Sequence, residues 1–400
     1  MFRLLIVATA FVVSSPLMAQ FKNDNVLYKT VYPEDLNQQL KENPGYLLLD
    51  VRSSGENHDT SSMHHLNIGH FKGAKNIDIK EVAARLNELQ PYKDKPVFVY
   101  CSHSQRSRRA SKILADSGFT KVYNINGGMT ALLQGNYGIS DLYETSNKYQ
   151  LISPSDFCKE VNSKNTFVVD VRSDSAYNAT TSDATVNSIG KLKNAVHIPF
   201  AELEKSLDKL PKDKKIIVAD EYGDEGIEAA TLLSSKGYKN VGVLFNGIYN
   251  LITSDADEAG CKNEVVQENI KYRILTADEF NQLAIKSNDL VIIDARPVIE
   301  YNNQSKDNWR NIGHIKNAIN ISPDQLQSKL AGLQPSKEKP IVVYASSGDS
   351  YKLASSLVDN GFKNVNVLAG GLFNLRWRAA NVKGKSSLKD WVTDVPAANL

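Results

Sequence analysis

Leu48-Leu49-Asp50-Val51-Arg52 returns as Val168-Val169-Asp170-Val171-Arg172 and again as Ile292-Ile293-Asp294-Ala295-Arg296, first 120 and then 124 residues further on. Each copy is an apolar run closed by an acid and a base, the pattern of a strand buried on both faces until its end. The segment downstream of each strand repeats as well. Ile68-Gly69-His70-Phe71-Lys72-Gly73-Ala74 corresponds to Ile189-Gly190-Lys191-Leu192-Lys193-Asn194-Ala195 and to Ile312-Gly313-His314-Ile315-Lys316-Asn317-Ala318. Then come a helical stretch (Glu81 to Leu89 in the first copy), a second apolar run (Val97 to Tyr100, Ile216 to Ala219, Ile341 to Tyr344), another helix and another strand. Each copy closes on a turn at Gly127-Gly128, Asn246-Gly247 or Gly370-Gly371.

Short apolar strands alternating with helical patterns predict an α/β fold: three tandem domains, each a mainly parallel sheet with helices on both faces. A period this long is a whole domain, since solenoid repeats run ~20–50 residues. The expected divisions are 26–146, 147–266 and 267–382, with a polar C-terminal tail at 383–400 that carries Trp391. Polar stretches around Gly138 to Lys148 and Asp255 to Gln267 read as linkers. The 400 residues hold 47 basic and 45 acidic side chains, a net charge of +2, which argues against a nucleic-acid or anionic-membrane partner.

Met1-Phe2-Arg3, the apolar run Leu4 to Val13 and the short segment ending at Ala19 have the order of a secretory signal peptide over residues 1–19. The run is too short for a bilayer, which needs ~20 apolar residues. Export to the periplasm or the extracellular space is therefore expected, with no membrane span in the mature chain.

The chemistry concentrates after the second apolar run of the first copy: Cys101-Ser102-His103-Ser104-Gln105-Arg106-Ser107, leading into the helical Arg108-Arg109-Ala110-Ser111-Lys112. Ligands of open α/β sheets bind beyond the carboxyl ends of strands. A tight loop there turns backbone N–H groups inward, and with the helix N-terminus they cradle an anion and activate a cysteine as a nucleophile. Arg106, Arg108, Arg109 and Lys112 oppose the helix dipole, which calls for a compensating negative group, with Arg106 the strongest candidate to meet it.

In this order, the Asp-Val-Arg strand end, Gly-His-Phe-Lys-Gly-Ala, the Cys-x4-Arg-Ser loop and the later Gly-Gly turn resemble the rhodanese family of sulfurtransferases, with weaker versions in copies two and three. The resemblance implies that Cys101 takes a sulfane sulfur as a persulfide, held by the loop N–H groups of Ser102, His103, Ser104, Gln105 and Arg106. Thiosulfate or polysulfide would be the donor; a small thiol, cyanide or a protein thiol would be the acceptor. No cofactor is implied. Related folds that hydrolyse phosphate esters have five residues between cysteine and arginine, whereas this loop has four, which favours sulfur chemistry.

The other copies lack the nucleophile. Asp220 replaces Cys101 and Glu225 replaces Arg106 in the second, a loop that suits a helix N-terminus or, alternatively, a cation; Ala345 and Ser350 replace them in the third. Two degenerate copies of three keep open a non-catalytic polysulfide carrier or protein-binding array. Cys158 and Cys261 bracket the second domain and are a candidate disulfide, which would leave Cys101 unpaired. His58, His64, His65, His70 and His103 show no metal-ligand spacing, and no metal is expected. His103 is read as shaping access to the loop, and Asp50 and Arg52 as structural.

Overall fold

A computed structural model describes residues 26–135, 137–255, 260–346 and 348–396. The leader expected at 1–19 and the last four residues of the tail lie outside the described residues. The first domain contains β1 (Lys29–Val31), α1 (Pro33–Glu42), β2 (Leu47–Asp50), α2 (Ser54–Asn57), β3 (His70–Phe71), β4 (Lys75–Asn76), β5 (Val97–Tyr100), α3 (Gln105–Asp116), β6 (Val122–Ile125), α4 (Gly128–Gln134) and β7 (Tyr143–Glu144). Its main sheet has the order β1-β6-β5-β2-β4, with every pair parallel. The same order recurs in the other two domains: Gln150–Ile152, Val241–Leu244, Lys215–Ala219, Thr166–Asp170, Val196–His197 in the second; Arg273–Leu275, Asn364–Leu368, Pro340–Tyr344, Val291–Asp294, Ile319–Asn320 in the third.

Alternation along the strands divides each core in two. Leu47, Leu49, Val97 and Val99 pack with Ala110 and Leu114 of α3, while Leu48, Phe98 and Tyr100 pack with Leu36 and Leu40 of α1 and Met129 and Leu132 of α4. Both faces of the sheet are therefore covered, as the unbroken apolar runs require.

At the end of β2, Arg52 and Asp50 are both fully buried. The Arg52 Nε donates to both Asp50 oxygens at 3.0 Å, one Nη to Oδ2 at 2.7 Å, and the same Nη to the Gly69 carbonyl at 2.7 Å. Arg172 repeats this with Asp170 and Gly190, and Arg296 with Asp294 and Gly313.

Three expectations change. Glu81 to Leu89 is a series of turns followed by a 3-10 helix at Leu86–Tyr92, because Pro91 has no N–H to donate and disfavours an α conformation at Gln90. The stretches read as linkers return to their own domains: β7 pairs antiparallel with β3, and Val266–Gln267 with Lys191–Leu192. The tail does the same, with Val392–Thr393 pairing with His314–Ile315, Leu388 buried, and Trp391 Nε1 donating to Asn281 Oδ1 at 2.7 Å. Residues up to Thr393 thus complete the third domain.

Arg172→Met strands the Asp170 carboxylate without its partner and is expected to destabilise the second domain by about 3–5 kcal/mol. Hydrogen exchange of amides in Thr166–Asp170 and Lys215–Ala219 reads this directly; unchanged exchange would show the pair to be dispensable.

Candidate active site

Pairing of Asp50 with Tyr100 in register places Cys101 just beyond the sheet. Its loop is shaped from behind by α4. Met129 N–H donates to the Cys101 carbonyl at 2.9 Å and Thr130 N–H to the Ser102 carbonyl at 3.0 Å. In planar trans peptides, N–H points opposite to C=O, so these bonds turn the N–H groups of Ser102 and His103 toward the inside of the loop. Only glycine permits the approach: at Gly128, with φ +60°, a Cβ would lie 2.2 Å from the Cys101 carbonyl oxygen. Ser104 takes the left-handed conformation at φ 72° and opens α3. The N–H groups of Ser102, His103 and Ser104 donate to no backbone carbonyl, and those of Gln105, Arg106 and Ser107 are first-turn donors without intrahelical partners. They form the cradle.

Cys101 is buried, with Sγ 3.6 Å from Ser107 Oγ, which in turn donates to Asn124 Oδ1 at 2.7 Å. Arg106 is clamped by both oxygens of Glu56 at 2.5 and 2.6 Å and donates to Ser102 Oγ at 2.9 Å. Burial would raise the Glu56 carboxyl, but the hydrogen bonds and charge of Arg106 outweigh it and hold the group below its ordinary value. His103 adds no charge to the site. Desolvation by the protein packed around the ring, then the charge of Arg106, lowers its pKa to about 4 even though part of the ring reaches solvent at the rim, so the ring is neutral at pH 7, with Nδ1 3.0 Å from Ser102 Oγ and Nε2 3.2 Å from Thr130 Oγ1.

Of the residues named from sequence, Cys101, Ser102, Ser104 and Arg106 converge, while His103 and Gln105 are exposed at the rim. Lys112 pairs with Asp116 at the surface, and Arg108 instead enters the contact with the third domain, donating to Asn126 and Asn381. Glu56 and Ser107 escaped sequence reasoning. A signal for Glu56 was present: Ser53-x-x-Glu56 is a capping box that fixes the carboxylate at the start of α2.

In the second domain the Asp220 carboxylate accepts from Gly223 N–H at 2.7 Å and Gly226 N–H at 3.0 Å. These positions correspond to Ser104 and Ser107, so the same cradle is filled by the chain's own carboxylate. Ala176 stands where Glu56 does, which removes the arginine's partner along with the arginine. In the third domain Glu300 is kept and pairs with Arg310 at 2.7 Å and with Ser346 Oγ at 3.1 Å, while Ala345 offers no reactive atom. Among the described residues no His, Cys, Asp and Glu group could hold a metal ion. Cys158 and Cys261 are bonded, with S–S 2.04 Å, and Cys101 is the free cysteine.

The chain matches the Rhodanese-like domain family at residues 32–134, 153–253 and 276–376, and it belongs to that family. Among curated relatives, the uncharacterised protein YqhL of Bacillus subtilis (strain 168) is 32% identical over 124 residues, 31% of this chain and 86% of the relative. The tRNA uridine(34) hydroxylase of Wigglesworthia glossinidia brevipalpis is 36% identical over 103 residues, 24% of this chain, and the match spans only 30% of that relative. Solved structures with similarity include a thiosulfate sulfurtransferase from Pseudomonas aeruginosa (15% identity, TM-score 0.23, 86% of this chain and 66% of that one). Another is a rhodanese with anions from E. coli (33%, TM-score 0.18, 22% and 91%).

Burial pushes the Asp220 carboxyl up to about 7 against the opposing pull of the Gly226 and Gly223 N–H groups. Its folded value thus exceeds its unfolded one, so its contribution to stability is complete below the unfolded value near ~4 and declines as pH rises through about 7. Thermal unfolding of the second domain is expected to weaken between those values in the wild type, with the slope removed in Asp220→Asn. A slope shared by both proteins would assign it elsewhere.

Proposed function

We propose that the protein is an exported sulfurtransferase that moves a sulfane sulfur through a persulfide on Cys101. The Cys101 thiolate attacks the outer sulfur of thiosulfate, the S–S bond breaks, and sulfite leaves with its electron pair; with polysulfide a shortened polysulfide leaves instead. A thiophilic acceptor then attacks the outer sulfur of the persulfide and restores the thiolate. The carrying observation is the loop itself: a free cysteine faces inward N–H groups that no backbone carbonyl takes up, under an arginine already neutralised by Glu56. Donors of that kind stabilise the negative charge on the outer sulfur.

Export to the periplasm or extracellular space is supported by the order of residues 1–19 and by the Cys158–Cys261 bond, which suits an oxidising compartment. Cleavage after Ala19 predicts a mature N-terminus at Gln20, read by N-terminal sequencing of the secreted protein. A second reading, a non-catalytic polysulfide carrier or protein-binding array, is favoured for domains two and three alone, because Asp220 fills one loop and Ala345 cannot react.

Intact mass of the mature protein after thiosulfate is expected to rise by one sulfur, about 32 Da, at Cys101, and cyanide is expected to remove it with turnover. Cys101→Ser should abolish both, while Ala345→Ser and Asp220→Asn leave turnover within about twofold, as substitutions distant from a site generally do. Turnover retained in Cys101→Ser would overturn the assignment.

A further inference from the structure

Two asparagines of the first domain are fully buried beside the Cys101 loop: Asn124 in β6, and Asn126 in the turn that leads into α4. Counted back from the closing turns, their counterparts are Val243 and Phe245 in the second domain and Val367 and Ala369 in the third, all of them buried. The fold is thus satisfied by apolar side chains at these positions. Burying an amide is costly unless its hydrogen bonds are made, so its presence only where the loop carries a cysteine points to a role tied to that cysteine. Ser107 follows the same rule, since Gly226 and Tyr351 stand in its place in the other two loops.

The hydrogen bonds of these residues run in one direction. Asn126 Nδ2 donates at 2.7 Å to the carbonyl of Ala380, near the end of the third domain's helix Gly371–Asn381. Its Oδ1 accepts from Arg108 at 3.2 Å and from Asn124 Nδ2 at 3.2 Å. A carbonyl can only accept and a guanidinium can only donate, so these two neighbours leave Asn126 a single amide orientation. Asn126 therefore presents an oxygen to Asn124, which must turn its Nδ2 toward it and its Oδ1 toward Ser107. That Oδ1 accepts the Ser107 hydroxyl proton at 2.7 Å; the Ser104 carbonyl, a second acceptor for the same hydroxyl, lies at 3.2 Å. Ser107 Oγ thus turns a lone pair to Cys101 Sγ, 3.6 Å away, and accepts from the thiol instead of donating to the sulfur.

Resting on the sulfurtransferase reading, we infer that Asn124 and Asn126 are positioning residues through which the third domain slows the release of sulfur from Cys101. In the persulfide the negative charge sits on the outer sulfur, among the loop N–H groups, and the inner Sγ carries none. When cyanide attacks the outer sulfur, the S–S bond breaks, its electron pair goes to Sγ, Cys101 leaves as thiolate and the acceptor departs as thiocyanate; charge balances with no external oxidant or reductant. A hydroxyl that donated to Sγ would stabilise this departing charge. The chain from Ala380 commits the Ser107 proton elsewhere, so the persulfide is held longer than the loop alone would hold it. In the unloaded protein the same commitment withholds a donor from the thiolate.

The test uses the full mature protein, loaded with thiosulfate and freed of excess donor, and follows the loss of the added sulfur mass after cyanide in a single turnover. Asn124→Val and Asn126→Ala install residues that the sister domains carry at these positions, so the fold accepts them. Discharge is expected to quicken at least about threefold in each, because the departing thiolate is a stronger acceptor for the Ser107 proton than the neutral carbonyl of Ser104. In Ser107→Ala the same two substitutions are expected to leave the rate unaltered, a dependence that general loosening of the loop would not show. Asn381→Leu removes the oxygen that accepts from Arg108 and from Gly127 N–H at the same helix end and alters no member of the chain; it is expected to quicken discharge by about twofold. Alkylation of unloaded Cys101 by iodoacetamide reads the same hydroxyl without any sulfur and is expected to rise in parallel. Discharge and alkylation unchanged or slowed in the two asparagine variants, or altered equally when Ser107 is absent, overturn the positioning role. An unaltered Asn381→Leu overturns the part of the third domain. Failure of the wild type to load sulfur on Cys101 overturns the sulfurtransferase reading instead, and the alkylation rates then decide whether the chain governs the cysteine.

Discussion

The buried Asp–Arg pair at the end of the second strand is the constraint on which each domain depends. Removing both ions from water costs several kcal/mol per ion, and the attraction offsets it only with good geometry and with the remaining hydrogen bonds made. Here the geometry is bidentate and one Nη reaches further to the carbonyl of Gly69, Gly190 or Gly313, while the other Nη is buried without a hydrogen-bond partner and the guanidinium lies over the ring of Tyr100, Tyr177 or Tyr344. One side chain thereby joins the strand end to the corner where the peripheral ribbon begins. Strand register carries that placement to the neighbouring strand. Asp50, Asp170 and Asp294 stand opposite Tyr100, Ala219 and Tyr344, so the next residue, Cys101, Asp220 or Ala345, emerges at the same point of the fold.

On that shared frame the loops diverge by charge. The second keeps the inward N–H groups and fills them with its own Asp220 carboxyl group, and the acid–base partners over the loop are replaced together by Ala176 and Glu225. The third keeps Glu300 but draws its arginine from the insert, Arg310, rather than from the loop helix. A carboxylate at the position of Glu56 thus accompanies an arginine wherever it occurs, and neither is left buried without the other.

Sequence made the repeated strands legible because buried parallel strands read as continuous apolar runs, and it made the loop legible because a cysteine, an arginine and two glycines stand at fixed offsets. The ribbons escaped because two-residue strands are too short to show alternation, so polar stretches such as Gly138 to Lys148 read as linkers. Glu56 escaped for another reason: it lies 45 residues before Cys101 in the chain and meets the loop only through the fold. Arg108 shows the limit most plainly, since a cation on a helix next to Arg109 reads as solvated. Its surroundings come from Asn381, 273 residues away.

The same residue completes the electrostatics of the site. Four basic side chains at one helix N-terminus oppose its dipole, and the structure disposes of three of them separately: Arg106 against Glu56, Lys112 against Asp116, and Arg109 in solvent. Arg108 alone is half-buried among amides, where desolvation depresses its pKa and the neighbouring Tyr28 acts in the opposite direction. A neutral Asn381 solvates the guanidinium without neutralising it, whereas a carboxylate there would cancel its field. Through Asn381 the third domain thus holds the Arg108 guanidinium by an amide oxygen rather than a carboxylate. That is a physical reason for a degenerate domain to remain packed against the first.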